Sequence, residues 1–403
     1  MRSAGLSILV ETKSTHRQKQ AVILKLGFVQ TLGYGSTYYL PAVLAQAIAK
    51  DLLISPSYVF AALSLSLIIA ALVAKRIGYC IDLYGGRSVL IASGVFFSMG
   101  LVLLALAQSP WGLFLAWIII GIGMAGGLYE SAFSTLVQLY GDDARGSITG
   151  ITLIAGFAST ISWPLSAWME AELGWRSACL VWALLHISIG IPLLLSLPKS
   201  RLVIADPKPH SFDAEGSDQK VRVIKKEALL LGAVFAISWF VSTAIAAHLP
   251  RLLQHFSGLS LAGALAIATL MGPAQVAARL LELVLHKKLA SLTCARLAMT
   301  CHPIGVCLLF MGAAPFATLF TLLHGMGNGM MTIAKGTLPL VIFGQYGYGQ
   351  RLGQLSIASR LGQAFAPFLF GLLFDFSPDV AVLFSAGLVS IGWFLLLQLK
   401  AQH

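Results

Sequence analysis

Charge is scarce in this chain. Aspartate, glutamate, lysine and arginine make up 11% of its 403 residues, against about a quarter in an ordinary soluble domain, which excludes a globule solvated by water on all sides. Cysteine is rarer still. Cys80, Cys179, Cys294, Cys301 and Cys307 are scattered without a CxxC pair, so neither a disulfide framework nor a metal site is implied. The chain also lacks the alternating segments of about 10 residues that build membrane barrels. It has no HExxH or comparable nucleophile–base constellation, which argues against an intramembrane enzyme. No cofactor and no nucleic-acid partner is expected. Residues 1–20 are polar, with Arg2, Lys13, Arg17 and Lys19, and the apolar run behind them is too long for a signal-peptide core, so no cleaved leader is expected.

What is abundant is apolar: 57% of the residues are hydrophobic. Runs of about 20 such residues, enough to cross a roughly 30 Å hydrocarbon core as helix, recur from Ala21 almost to the end. Their continuity favours helices over strands, since only helices and closed barrels satisfy the backbone in lipid. Twelve spans are expected, near 21–46, 56–77, 88–107, 111–137, 148–169, 176–197, 228–250, 259–283, 294–312, 315–342, 352–374 and 379–399. The expectation is thus an all-α membrane protein of twelve transmembrane helices. A net charge of +11 is a topology signal here. With the N-terminus inside, about 21 of the 27 Lys and Arg fall on cytoplasmic segments or helix ends, as the positive-inside bias requires. Both termini are then cytoplasmic, in an inner (cytoplasmic) or plasma membrane.

Only one long hydrophilic stretch interrupts the spans, 198–227, with Pro198, Pro207, Pro209 and Gly216 among mixed charges. It reads as a cytoplasmic linker between a bundle at 21–197 and another at 228–399, with 1–20 and 400–403 as cytoplasmic ends. The two bundles repeat weakly. A shift of about 204 residues lays Gly121 and Gly123 on Gly325 and Gly327, and brings Pro164 within a residue of Pro367. Two pseudo-symmetric six-helix bundles around a central loop are the architecture of transporters that hold their solute at mid-membrane between the halves. A channel fits less well, because no filter-forming segment stands out.

After the second span comes Gly78-Tyr79-Cys80-Ile81-Asp82-Leu83-Tyr84-Gly85-Gly86-Arg87. It resembles the loop signature of the major facilitator superfamily, although Leu83 and Gly86 stand where basic residues are usual. Gly174-Trp175-Arg176 and the interrupted fifth span, with Gly150, Gly156 and Trp163-Pro164, are similar to further family features. The arginine common in the fourth span is replaced by Trp117, so proton-relay roles attached to it do not carry over. The resemblance implies alternating access, a monomer, and a gate formed by Gly78, Asp82, Gly85 and Arg87, in which Asp82 meets a helix N-terminus of the other half.

Ionisable residues at mid-membrane cost at least about 2.5–3.5 kcal/mol each on insertion scales, so those retained usually face a cavity or a partner. Here they are Glu130, Arg279, Lys335 and Arg360. Helical spacing sets them on polar stripes: His324, Asn328, Thr332 and Lys335 on one span, Ser356, Arg360 and Gln363 on another, Gln275, Arg279 and Glu282 on a third, and Gln30, Tyr34, Thr37 and Tyr38 on the first. With Trp163 and Trp239 they make the candidate solute site. Structural alternatives exist: Glu282, three residues on, as a local partner for Arg279, and a mutual Glu130–Lys335 ion pair. Three deep cations favour a small organic anion such as a carboxylate, gripped by arginine. The arrangement is similar by position to oxalate/formate and monocarboxylate carriers of the superfamily. Glu130 is the candidate proton carrier, with protons as the coupling ion. The competing expectation is a proton-driven exporter of lipophilic or cationic drugs, with Glu130 as cation receptor.

Overall fold

A computed structural model describes residues 16–199, 218–285 and 288–400. Residues 1–15, 200–217 and 401–403, which hold most of the expected N-terminal segment, much of the linker and the tail, lie outside the described residues. The described chain is helical: α1 (His16–Ser36), α2 (Leu40–Asp51), α3 (Pro56–Tyr84), α4 (Gly86–Ala105), α5 (Pro110–Gly127), α6 (Tyr129–Tyr140), α7 (Ala144–Ala155), α8 (Ala158–Leu185), α9 (Ile191–Leu195), α10 (Asp218–Ser257), α11 (Leu261–Ala268), α12 (Met271–Leu285), α13 (Ser291–Leu309), α14 (Ala314–Phe343), α15 (Tyr348–Phe376) and α16 (Pro378–Gln398).

Eight stretches are long and apolar enough to cross a membrane by length and composition, and one of them, Pro110–Leu195, runs through three legs. With the broken pair α1–α2 and the polar-striped α14, twelve legs are traced among the described residues. Several legs are broken within the membrane. The chain turns at residues 37–39 between α1 and α2, at Leu128 between α5 and α6, at Gly156 and Phe157 between α7 and α8, and at Thr269 and Leu270 between α11 and α12. Each break strips carbonyls and amides of their intrahelical partners, and in a bilayer those groups must be answered by protein.

Apolar packing divides the molecule. One core cluster draws only on residues 231–399, from Leu231 to Leu399. A second draws on the first half, from Leu32 to Ala183, and takes only Ala364 from beyond it. The packing repeats as well. Gly121 of α5 abuts the Ser66 backbone of α3, and Gly325 of α14 abuts the Met271 backbone of α12, so the glycines matched by the 204-residue shift occupy matching close crossings.

A third core cluster joins Leu340, Tyr348 and Leu352 to residues of the first half. It seals the side of the molecule that carries Asp82. There α6 and α7 pack on α12, α14 and α15, whereas α2, α8 and α11, which lead the same legs to the opposite side, pack on helices of their own half. Among the described residues, α3 and α15 make the most extensive contact between the halves. The halves therefore close on the Asp82 side and part on the other.

Candidate functional site

The break at Leu128 places Glu130 in the first turn of α6, where unpaired amides and the helix dipole favour an anion. The freed carbonyls on the α5 side are met by side chains: Gln30 Nε2 donates to Gly127 O at 2.9 Å, and Arg360 Nη2 donates to Met124 O at 3.1 Å. Glu130 itself is a shared counter-ion. Its Oε1 accepts from Lys335 Nζ at 2.8 Å, and its Oε2 lies 3.1 Å from Arg360 Nη2. Lys335 also sits over the Trp239 ring, 4.6 Å from its centroid. All three charged residues are at least 93% buried. The residues expected to face one another across a cavity are thus in direct contact, and the ion pair has a third member.

Arg279 is held differently. It is 4% exposed and lies at the break between α7 and α8, where it donates to Thr152 O at 3.0 Å. Its other contacts are Gln275 Oε1 at 3.4 Å and Thr332 Oγ1 at 3.5 Å, both neutral. Gly156 makes this seat, since a Cβ there would collide with the Arg279 guanidinium. Glu282 does not neutralise Arg279. It pairs with Arg145 of α7 at 3.6 Å, and Arg145 also donates to Leu289 O at 2.8 Å. Among the described residues no carboxylate forms an ion pair with Arg279. Of the two buried carboxylates, Glu282 is taken by Arg145, so the three buried cations share Glu130 alone.

Around this cluster the first leg supplies tyrosines. Tyr34 packs on Tyr129 with ring centroids 4.8 Å apart, and Tyr38 reaches the Thr243 and Gln363 side chains of the other half. Trp163 packs edge-on against Tyr39 at 6.0 Å and is 45% exposed, without contact to the charged residues. His324 stands apart. Its Nδ1 lies 2.8 Å from His302 Nδ1, and with Asn328 it lines a small hollow inside the second half. The α14 stripe thus divides, with Thr332 and Lys335 on the interface between halves and His324 within one half.

Asp82 meets the start of a helix of the other half. Its Oδ1 accepts from Gly349 N at 2.9 Å and its Oδ2 from Gln350 N at 2.7 Å, at the start of α15. Gly78 allows this approach, because a Cβ there would strike the Gly349 carbonyl. Gly85 turns the chain at φ +83°, a conformation that suits glycine. Arg87 instead serves its own half, donating to Leu195 O at 2.6 Å and Leu197 O at 2.8 Å. Arg145, Tyr39 and Tyr129 carry no stripe or motif that would have singled them out. Tyr129 had only its place beside Glu130 as a signal.

Comparison with known proteins identifies the family. The Major Facilitator Superfamily model matches residues 26–367. A nitrite extrusion protein of Bacillus subtilis (strain 168) is 22% identical over 387 residues, covering 91% of each chain. A probable nitrate transporter of Staphylococcus epidermidis is 24% identical over 130 residues, 32% of this chain and 33% of its own. Among solved structures, a human organic anion transporter superposes with a TM-score of 0.71 at 15% identity, covering 94% of this chain and 99% of that one. A proton:xylose symporter superposes with a TM-score of 0.68 at 16% identity, covering 94% and 95%.

Proposed function

Because the chain belongs to the major facilitator superfamily, and so is a multi-pass membrane transporter rather than an enzyme, we propose that its solute is a small planar oxyanion bound between the halves at Arg279. The carrying observation is the buried guanidinium with neutral partners only. A buried charge without a counter-ion is strongly unfavourable, and a nitrate, nitrite or carboxylate group would supply that charge with geometry matched to the fork of an arginine. Arg360, whose Nη1 is buried and unpartnered, and Lys335 add positive potential that the one carboxylate of Glu130 offsets in part. The names of the two bacterial relatives, nitrite extrusion and nitrate transport, support this class of solute.

Transport then proceeds by alternating access. The halves close where Asp82 meets α15 and part on the far side. With the basic loops in the cytoplasm, that far side is the outside, both termini are cytoplasmic, and the chain works as a monomer with residues 198–227 joining the halves. A cation exporter fits less well, since its receptor would be Glu130, which Lys335 and Arg360 already share. The test is a thermal-shift series on purified protein with nitrate, nitrite, formate, oxalate and a lipophilic cation, followed by flux into vesicles. The oxyanions should raise the apparent melting temperature, as ligands of the native state do, and Arg279→Gln should diminish the shift at the same ligand concentration. Stabilisation by the cation alone defeats the reading.

A further inference from the structure

The hollow inside the second half has a polar lining that anion binding does not use. It is bounded by Ser238 and Ser242 of α10, His302 of α13, His324 and Asn328 of α14, and apolar side chains including Met299, Met331 and Val389. Its volume is about 30 Å³, enough for roughly one water molecule. Both histidines are 4% exposed. Besides the pair itself, no ionisable side chain lines the hollow among the described residues.

Hydrogen-bond accounting fixes the protons. Ser385 Oγ of α16 donates to Val382 O at 2.7 Å, which uses its one hydrogen. Toward His302 Nε2, 3.0 Å away, it can then only accept, so His302 carries its proton on Nε2. His302 Nδ1 is therefore bare and accepts from His324 Nδ1–H across 2.8 Å. The remaining nitrogen, His324 Nε2, is left without a proton, buried and without a hydrogen-bond partner.

We propose that His324 Nε2 is the proton-binding site that couples this transporter to the proton gradient, loaded through water in the hollow beside Asn328, with Ser385 and His302 holding the ring in its accepting tautomer. Asn328 is partly exposed and sits one turn from His324 on the α14 stripe, so it forms the wet end of the route. The proton arrives on water, forms the Nε2–H bond and leaves water neutral; nothing is oxidised or reduced.

The inference rests on the anion reading for its coupling. Thr332, in contact with Arg279, is eight residues beyond His324, about 12 Å along a helix. An anion there cancels positive potential at the histidine, and unit charges about 12 Å apart at an effective dielectric near 20 change proton affinity about tenfold. By reciprocity the protonated histidine tightens anion binding by the same factor. Anion and proton then move together.

Two measurements test this. In protein labelled with nitrogen-15 histidine and held in nanodiscs, the resonance of His324 Nε2, assigned by its loss in His324→Gln, should move from the bare toward the protonated position as pH is lowered from about 8 to about 4. A nitrogen that stays bare throughout overturns the proposal whatever solute is carried. In proteoliposomes given an inward nitrate gradient, a trapped pH dye should report acidification with wild type. His324→Gln should pass nitrate without acidification, while His302→Gln, which disturbs the tautomer, should weaken the coupling. Proton movement undiminished in His324→Gln also overturns the proposal. Protonation of His324 together with no nitrate binding or flux supports the proton site and counts against the anion reading instead.

Discussion

Arg279 and Arg360 are both buried arginines, yet their surroundings assign them different work. Arg360 has Glu130 at 3.1 Å and the Met124 carbonyl at the same distance, whereas Arg279 touches only neutral oxygens. Removing Arg279 should therefore cost solute binding with little loss of fold. A hydrogen bond to a charged group is worth about 1.5–3 kcal/mol, so Arg279→Gln should weaken nitrate binding by about 10- to 100-fold, read by calorimetry. Arg279→Lys keeps the charge but not the fork, and should recover only part of the affinity. Glu130 is the opposite case. Glu130→Gln leaves Lys335 and Arg360 side by side without their carboxylate, and breaking a buried pair from one side costs about 3–5 kcal/mol. Its effect should appear as a lower melting temperature, relieved in part by adding Lys335→Met.

At the scale of the element, what decides behaviour is where helices stop. The twelve legs were legible because an apolar run of about 20 residues is a strong signal in lipid, and the span expected at 315–342 meets a helix from Ala314 to Phe343. Of the breaks, only that at Gly156 had a signal, in the interrupted fifth span. Nothing in Gly127-Leu128-Tyr129 forces a stop, since the break is sustained by Gln30 and Arg360, which arrive from α1 and α15 to take the freed carbonyls. For the same reason the depth of the charged residues could be read from spacing, but not the pairing of Glu282 with Arg145 rather than Arg279. Among contacts between elements, the approach of α3 to α15 is the most exposed to a single change. Asp82→Asn should weaken the contact with the α15 amides by about 0.3–1 kcal/mol. Gly78→Leu, which puts a side chain against the Gly349 carbonyl, should disfavour the closed state far more. Both should raise labelling of a cysteine placed at Gln138, whose amide bridges Gly86 N and Ile81 O at this seal, in the order Gly78→Leu above Asp82→Asn above the unsubstituted protein.

For the whole molecule, the proposed alternating access requires each half, with its own core, to rotate against the other as a body about the seal on the Asp82 side. Interfaces of this kind are bistable rather than continuously deformable, so bound solute should select a second arrangement instead of a graded series. Spin labels can read both ends at once. Tyr84 and Tyr346 are 61% and 56% exposed on the Asp82 side, one in each half, while Leu53 and Leu261, 93% and 56% exposed, lie on the opposite side. In a chain with its five native cysteines replaced, cysteine pairs at 84/346 and at 53/261 give one distance across each mouth. Without solute the first distance should be short and the second long. Nitrate can shift this balance only by its differential affinity for the two states, so saturating nitrate should add a population in which the 53/261 distance shortens as the 84/346 distance grows. That population should vanish with Arg279→Gln. If both distances lengthened together, or neither changed while nitrate still bound, the two halves would not be exchanging access around Arg279, and the solute would have to cross by another route.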